Sequence, residues 1–177
     1  MKIGAVTGHQ GTRFRFKYKD NNNGCKRLKR RMREQFVVLY GEGVRYFWIG
    51  GGLGVDLWAG EILLRLKEEP GYGEIMLHTA IPFTGYDSKW DERSRARMAF
   101  VVKHSDSTRI IGTSNIPPAA CYRQRDRFLV DQADCLLAVY DNDRSRRNGI
   151  GTTVFMAEKK GIPIIMIHPN TGIVSRE

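Results

Sequence analysis

The sequence contains few cysteines and no long apolar run, and each absence argues against a class of protein. The three cysteines, Cys25, Cys121 and Cys135, are odd in number and lack CxxC spacing, which argues against a disulfide framework and a zinc site. No apolar stretch approaches the roughly 18 residues that cross a bilayer, and the first residues lack the apolar core of a secretory signal. We therefore expect a cytoplasmic protein with no membrane partner and no metal.

Two common nucleotide-binding signatures are also missing. GxGxxG is not formed, because Val55 or Leu57 stands where its third glycine belongs, and GxxxxGK[ST] is absent. These absences argue against an ordinary dehydrogenase and a P-loop ATPase. We expect that no cofactor is required, although a nucleotide-type ligand remains possible.

The positive charge of the chain is concentrated in one segment. The net charge is +10, yet residues 13–33 alone hold ten basic residues and one acid, so the rest is about neutral. The length of 177 residues and the 41% hydrophobic content predict one domain, 1–177, since domains typically use about 100–200 residues. We expect a basic arm or loop at about 10–25 and a short C-terminal tail at about 169–177.

Short apolar strands alternate with amphipathic helices along the chain. The predicted strands are 2–6, 46–49, 75–81, 107–111, 134–140 and 162–167, and the predicted helices are 28–39, 55–66, 88–104, 123–132 and 151–160. This alternation predicts an α/β fold, a Rossmann-like three-layer domain with a mainly parallel sheet. Ligands of such sheets bind beyond the carboxyl ends of the strands.

The stretch WIGGGLGVDLWAGE, residues 48–61, crosses that edge of the predicted sheet. Its glycine loop, residues 50–54, lets the backbone approach a ligand closely, and the following helix directs its free amides at the loop. This pattern predicts a phosphate site, although a tight turn without a ligand is the alternative. Asp56 is expected either to cap the helix or to bind ligand hydroxyls such as those of a ribose.

An ordered set of motifs carries a family resemblance over residues 2–167. The motifs are Thr7-Gly8, Ile49 to Asp56, Ala80-Ile81-Pro82-Phe83, Gln124-Arg125, Asp134 to Tyr140 and Gly149-Ile150-Gly151-Thr152. Together they resemble the YpsA-like branch of the SLOG superfamily, named for the SMF/DprA and LOG proteins. The resemblance implies a Rossmann-like fold that binds nucleotide-derived ligands such as nucleoside monophosphates, NAD or ADP-ribose. It also implies possible homo-oligomers.

The expected ligand site combines residues from several loops and one helix. Its predicted members are Thr7, Gly8, Gly50, Gly51, Gly52, Gly54, Asp56, Arg125, Gly149, Gly151 and Thr152. Arg125 is the leading candidate outside the glycines, because a guanidinium binds phosphate oxygens bidentately. Trp90 is expected either to stack on a base or to pack in the core.

One departure from the resemblance bears on catalysis. LOG enzymes hydrolyse the N-glycosidic bond of cytokinin nucleotides, and their GGxGTxxE stretch supplies a catalytic glutamate. The corresponding run here, residues 148–155, begins with Asn148 and ends with Phe155, which cannot act as an acid or base. We therefore favour binding or sensing over hydrolysis. The alternative is a LOG-like hydrolase whose weak catalytic candidates are Asp56, Glu61, Glu158 and Arg125.

A second alternative is a DprA-like binder of single-stranded nucleic acid. Arg13, Arg15, Lys17 and Lys19 alternate with aromatic residues, and rings beside cations are typical of sequence-tolerant strand binding. The basic residues of the following helix would add to this charge. The other interpretation is that these rings pack on the domain and the cations face water.

Overall fold

The computed structural model of the protein describes residues 1–9, 14, 16, 19–145 and 149–177. Seven strands and five helices alternate within these ranges. The strands are β1 (Lys2–Gly8), β2 (Val44–Ile49), β3 (Met76–Ile81), β4 (Ser107–Ile110), β5 (Cys135–Val139), β6 (Ile164–Ile167) and β7 (Val174–Arg176). The helices are α1 (Asn23–Gly41), α2 (Val55–Glu68), α3 (Glu92–His104), α4 (Pro118–Gln132) and α5 (Gly149–Lys160).

The strands form one sheet in the order β4-β3-β2-β1-β5-β6-β7. Neighbours are parallel except for β7, which runs antiparallel to β6. The order reverses at β1, between β2 and β5, and such a reversal opens a crevice at the carboxyl ends of the strands. The predicted Rossmann-like three-layer fold with a mainly parallel sheet is confirmed.

Two apolar cores cover the two faces of the sheet. The first contains Phe36 of α1 with Leu137 and Val139, and the second contains Val154 of α5 with Leu136 and Ala138. Consecutive residues of β5 thus face opposite layers, as the period of two in a strand requires. Because β5 is buried along its whole length, its sequence is an unbroken apolar run.

Local capping explains where several helices begin. The side chain of Asn22 accepts a hydrogen bond from the Gly24 N–H, so α1 begins at Asn23, inside the predicted arm. Asp91 caps α3 by accepting from the Ser94 N–H at 2.9 Å. Trp90 therefore precedes α3, whereas the sequence predicted it within that helix.

The C-terminal residues contain a strand that the sequence analysis missed. β7 pairs with β6 inside the predicted tail, and Arg176 forms an ion pair with Glu42 at the end of α1. Two of its three residues are exposed, so its apolar pattern was too weak to indicate a strand. None of the helices in the described part of the chain combines the length and apolar character needed to cross a membrane.

Gly60 sets the distance between α2 and α3. A Cβ added to Gly60 would lie 2.5 Å from Cγ1 of Val101 and 3.0 Å from Cδ1 of Ile49. No real Cβ tolerates the first contact without movement. The absence of a side chain at this position therefore lets the two helices pack closely beside the glycine loop.

We predict that Gly60→Ala destabilises the protein by about 1 kcal/mol or more, because overpacking outweighs the helix propensity gained by alanine. Val101→Ala removes the clashing methyl groups, so the double variant should be more stable than the sum of the single effects. Gly41→Ala, whose Cβ meets no atom within 4 Å, is the control and should stay within about 0.5 kcal/mol. Urea denaturation of the wild type and the four variants measures these free energies of unfolding, and additive effects of Gly60→Ala and Val101→Ala would contradict the close packing of Gly60 on Val101.

Candidate functional site

The glycine loop connects β2 to α2 and is held by a residue from a neighbouring loop. Gly51 and Gly54 have φ values of 77° and 78°, which favour glycine. Tyr86, between β3 and α3, donates a hydrogen bond from its hydroxyl to the Gly51 carbonyl at 2.9 Å. Burial of Tyr86 raises the pKa of its hydroxyl, so it remains a donor. The loop conformation therefore depends both on its glycines and on this contact.

Asp56, the second residue of α2, folds back onto the glycine loop. Its Oδ2 accepts a hydrogen bond from the Gly52 N–H at 3.0 Å, and a Cβ on Gly50 would lie 3.0 Å from the same oxygen. Burial raises the pKa of Asp56 from 3.8 to about 6, although the Arg125 charge and the Gly52 N–H oppose this shift. The Asp56 carboxylate therefore binds the N–H of Gly52, a residue that was predicted to bind the ligand.

Arg125 reaches the glycine loop from α4. Its Nη1 donates to the Gly50 carbonyl at 2.9 Å, while Nε and Nη2 donate to Oδ1 of Asp126 at 3.0 and 2.8 Å. Burial raises the pKa of Asp126, although the guanidinium opposes this shift. We call Asp56, Arg125 and Asp126 the charged cluster.

The charged cluster extends to the first turn of α5. Oδ2 of Asp126 lies 3.7 Å from the position that a Cβ would take on Gly149. A cleft of about 860 Å³ lies at this point, and we call it the α4–α5 cleft. It is lined by Ala119, Ala120, Tyr122, Arg123, Gln124, Asp126, Arg127, Gly149, Thr152 and Met156. The structure thus brings Asp56, Arg125 and Gly149 together through Asp126.

Other predicted site residues have structural contacts of their own. Thr7 is nearly buried at the end of β1, and a Cβ on Gly8 would lie 2.5 Å from Val55, so Gly8 allows α2 to approach the strand. Gly151 and Thr152 lie in the first turn of α5, whereas the sequence placed that helix start at residue 151. Asn148 lies outside the described residues.

Two of the alternative catalytic acids, Glu61 and Glu158, do not line the α4–α5 cleft and pair with arginines elsewhere. Glu61 pairs with Arg97 of α3 at 2.6 Å, and Glu158 pairs with Arg144 at 2.5 Å. Phe155 is 51% exposed and does not line the α4–α5 cleft. Of the described acids, Asp126 is the one that lines it.

Sequence reasoning missed the contacts of two residues at this edge of the sheet, Asp126 and Tyr86. Asp126 directly follows Arg125, and that adjacency was the available signal. Tyr86 gave no signal of its contact with the glycine loop. At the same edge, Nε2 of His9 lies 3.9 Å from Oδ1 of Asp141, just beyond β5. Across the described ranges, no group of three His, Cys, Asp or Glu side chains is arranged to hold a metal.

The segment proposed for nucleic acid is only partly described. Arg13, Arg15 and Lys17 lie outside the described residues, and Lys19 is exposed. Phe14 and Phe16 are buried and pack on Trp58 with ring centroids 5.3 and 6.0 Å from it. These two rings are covered by the domain, as the alternative interpretation of the segment expected.

Many of the cations of α1 have partners within the chain. Lys29 pairs with Asp20, Arg31 with Glu34 and Arg33 with Glu69, while Arg27 donates to the Asn170 carbonyl. The basic helix is therefore less available to an external polyanion than its sequence indicated.

We predict that Asp56 makes stability depend on pH near neutrality. Its raised pKa means that folding favours the protonated form, so its contribution is fully present below pH 4 and is lost as the pH rises through about 6. Asp56→Asn mimics the protonated form. The Tm difference, wild type minus Asp56→Asn, should therefore fall between pH 4.5 and 7.5.

Glu68→Gln, an exposed acid of the same helix, controls for the loss of one charge. Thermal unfolding in a matched buffer series measures the three proteins. Parallel wild-type and Asp56→Asn profiles would contradict the buried position of this carboxylate.

Comparisons with known proteins agree with this architecture. A family model described as the YspA SLOG family (YpsA) matches residues 4–171. A UPF0398 protein of Halalkalibacterium halodurans is 31% identical over 144 residues, which are 81% of this chain and 75% of that protein. A UPF0398 protein of Bacillus licheniformis is 28% identical over 174 residues, covering 94% of this chain and 91% of the relative.

A solved structure shows the same fold at lower identity. DNA processing protein A from Helicobacter pylori, described for its single-stranded DNA binding mode, superposes with a TM-score of 0.55 and 16% identity. The match covers 93% of this chain but 65% of that chain, so this protein spans less than two thirds of its length. With the family model covering nearly all of the sequence, the resemblance is confirmed, and the chain belongs to the YspA SLOG family.

Proposed function

We propose that the protein binds a phosphate-bearing, nucleotide-derived ligand, such as a nucleoside monophosphate, ADP-ribose or an NAD-like molecule, in the α4–α5 cleft. The observation that carries this proposal is the charged cluster, which links the glycine loop to the first turn of α5 beside a cleft of about 860 Å³. That volume lies within the roughly 300–1,000 Å³ of small-molecule sites. The proposed role is binding or sensing.

The first turn of α5 suits the ligand phosphate better than the glycine loop does. The first turn of α2 contains Asp56, whose carboxylate already accepts the Gly52 N–H. The first turn of α5 contains no acid, and the positive end of a helix dipole favours an anion. Gly149 and Thr152 line the cleft at this turn. In this proposal the first turn of α5 binds the phosphate, whereas the amide of Gly52 in the glycine loop is bound by Asp56.

Side chains of α4 complete the proposed site. Arg123 and Arg127 are exposed at the cleft, where their charges would attract a phosphate-bearing ligand. Tyr122 is partly exposed beside them, and its ring lies 5.2 Å from the Arg125 guanidinium. A planar ring at this position is suited to stack on a base. The cleft thus offers contacts for both ends of a nucleotide.

Two alternatives have weaker support. Phe155 stands where the resemblance expects a catalytic glutamate, and Glu61 and Glu158 pair with arginines outside the cleft. Nucleic-acid binding draws on a relative described as binding single-stranded DNA, but the burial of Phe14 and Phe16 removes two of the rings that would stack on bases. Both alternatives serve as arms of the experiment below.

We predict that AMP, ADP-ribose or NAD binds more tightly than inorganic phosphate, as measured by isothermal titration calorimetry. Gly149→Asp places a carboxylate at the proposed phosphate position and should weaken binding at least about tenfold, the scale of one lost charge-assisted hydrogen bond. Gly73→Asp adds the same charge where a Cβ meets no atom within 4 Å, and should leave affinity unchanged.

The proposal fails if no nucleotide in the panel binds better than phosphate. Release of free base from AMP would favour the hydrolase, and tighter binding of a thymidine oligonucleotide would favour the nucleic-acid alternative. Arg125→Ala is unsuitable for this test, because removing the guanidinium leaves Asp126 as an unpaired, largely buried charge, at a cost of about 3–5 kcal/mol.

A further inference from the structure

The two carboxylate oxygens of Asp126 have different surroundings. Oδ1 accepts both hydrogen bonds from Arg125, through Nε and Nη2. No donor among the described residues reaches Oδ2, which faces Gly149 where the cleft meets α5. The Asp126 side chain is 14% exposed, and Oδ2 is not among the buried polar atoms that lack a partner, so it opens onto solvent in the cleft. A ligand that fills the cleft would displace the water at Oδ2, and this oxygen would then need a hydrogen-bond donor from the ligand.

The chemistry of Oδ2 restricts which part of a ligand lies against it. An ionised carboxylate oxygen only accepts hydrogen bonds, and it repels the oxygens of a phosphate. The ribose hydroxyls are the donors nearest to the 5′-phosphate in a nucleotide. A ligand with its phosphate at the first turn of α5 would therefore direct a ribose hydroxyl, rather than a phosphate oxygen, towards Asp126.

Resting on the proposed function, we propose that Asp126 is a specificity-determining residue that selects ligands with free ribose hydroxyls over their deoxy analogues. Arg125 positions it by holding Oδ1, which leaves Oδ2 for the ligand. An analogue without ribose hydroxyls would cover Oδ2 without donating a hydrogen bond to it. Sites that bind a hydroxyl through such an acceptor have a much lower affinity for analogues that lack the hydroxyl. The ligand class is accordingly the ribonucleotides and ADP-ribose-like molecules.

The test compares AMP with 2′,3′-dideoxyAMP by calorimetry on the intact chain. Wild type should bind AMP at least about tenfold more tightly, which is the lower end for a hydrogen bond to a charged group. Asp126→Asn keeps an acceptor for Arg125 but turns the other atom into an amide donor, and it should reduce this preference to about threefold or less. Asp131→Asn, an exposed acid of the same helix, should preserve it.

Each outcome separates this inference from the function on which it rests. Equal binding of the two nucleotides by wild type overturns the role of Asp126 but leaves nucleotide binding in place. Failure of both to bind overturns the proposed function as well. A preference that survives Asp126→Asn but disappears in Asp56→Asn assigns the hydroxyl to the other carboxylate and overturns the proposal. If Asp126→Asn does not fold, equal binding by wild type or loss of the preference in Asp56→Asn still overturns the proposal, and a preference that Asp56→Asn retains supports it.

Discussion

The site depends on one guanidinium, that of Arg125, which connects the glycine loop to α4. It donates to the carbonyl of Gly50 on one side and to Asp126 on the other, and Asp126 faces the first turn of α5. The glycine loop follows β2 and α5 follows β5, so Arg125 and Asp126 lie at the reversal of strand order at β1. Without this guanidinium, the glycine loop would lose its hydrogen bond to α4, and Asp126 would lose the partner that holds it beside Gly149.

The charge balance around Arg125 determines what the site can accept. One guanidinium lies between two carboxylates, and burial raises the pKa of both Asp56 and Asp126. The carboxylate oxygens of this cluster would repel a phosphate, whereas they would accept hydrogen bonds from a hydroxyl. We therefore propose that the charged cluster binds the sugar and that the first turn of α5 binds the phosphate.

The fold could be predicted from the sequence because buried strands such as Cys135–Val139 are apolar runs, and each of the first five strands is followed by a helix. Positions that depend on tertiary packing were harder to predict. β7 is short and largely exposed, and Phe14 and Phe16 are buried because Trp58 offers them a surface. Local patterns of hydrophobicity predict neither the strand β7 nor the contact of Phe14 and Phe16 with Trp58.

Part of the candidate site could also be predicted from local sequence patterns. The glycine loop and Arg125 stand out by residue type and by their place at strand ends. The role of Asp126 depends on how α4 packs beside the glycine loop. Adjacent residues of a helix do not usually face each other, so the Arg125–Asp126 ion pair could not be inferred from their positions in the sequence. The sequence therefore identified Arg125 as a site residue, but it predicted a phosphate as the partner of the guanidinium rather than Asp126.

A crystal structure of the protein with AMP would test the central claim most directly. The account predicts the phosphate at the first turn of α5, a ribose hydroxyl within about 3 Å of Oδ2 of Asp126, and Asp56 still bound to the Gly52 N–H. A phosphate seated on residues 50–54, with Asp56 displaced and Arg125 turned from Asp126 to the ligand, would contradict it.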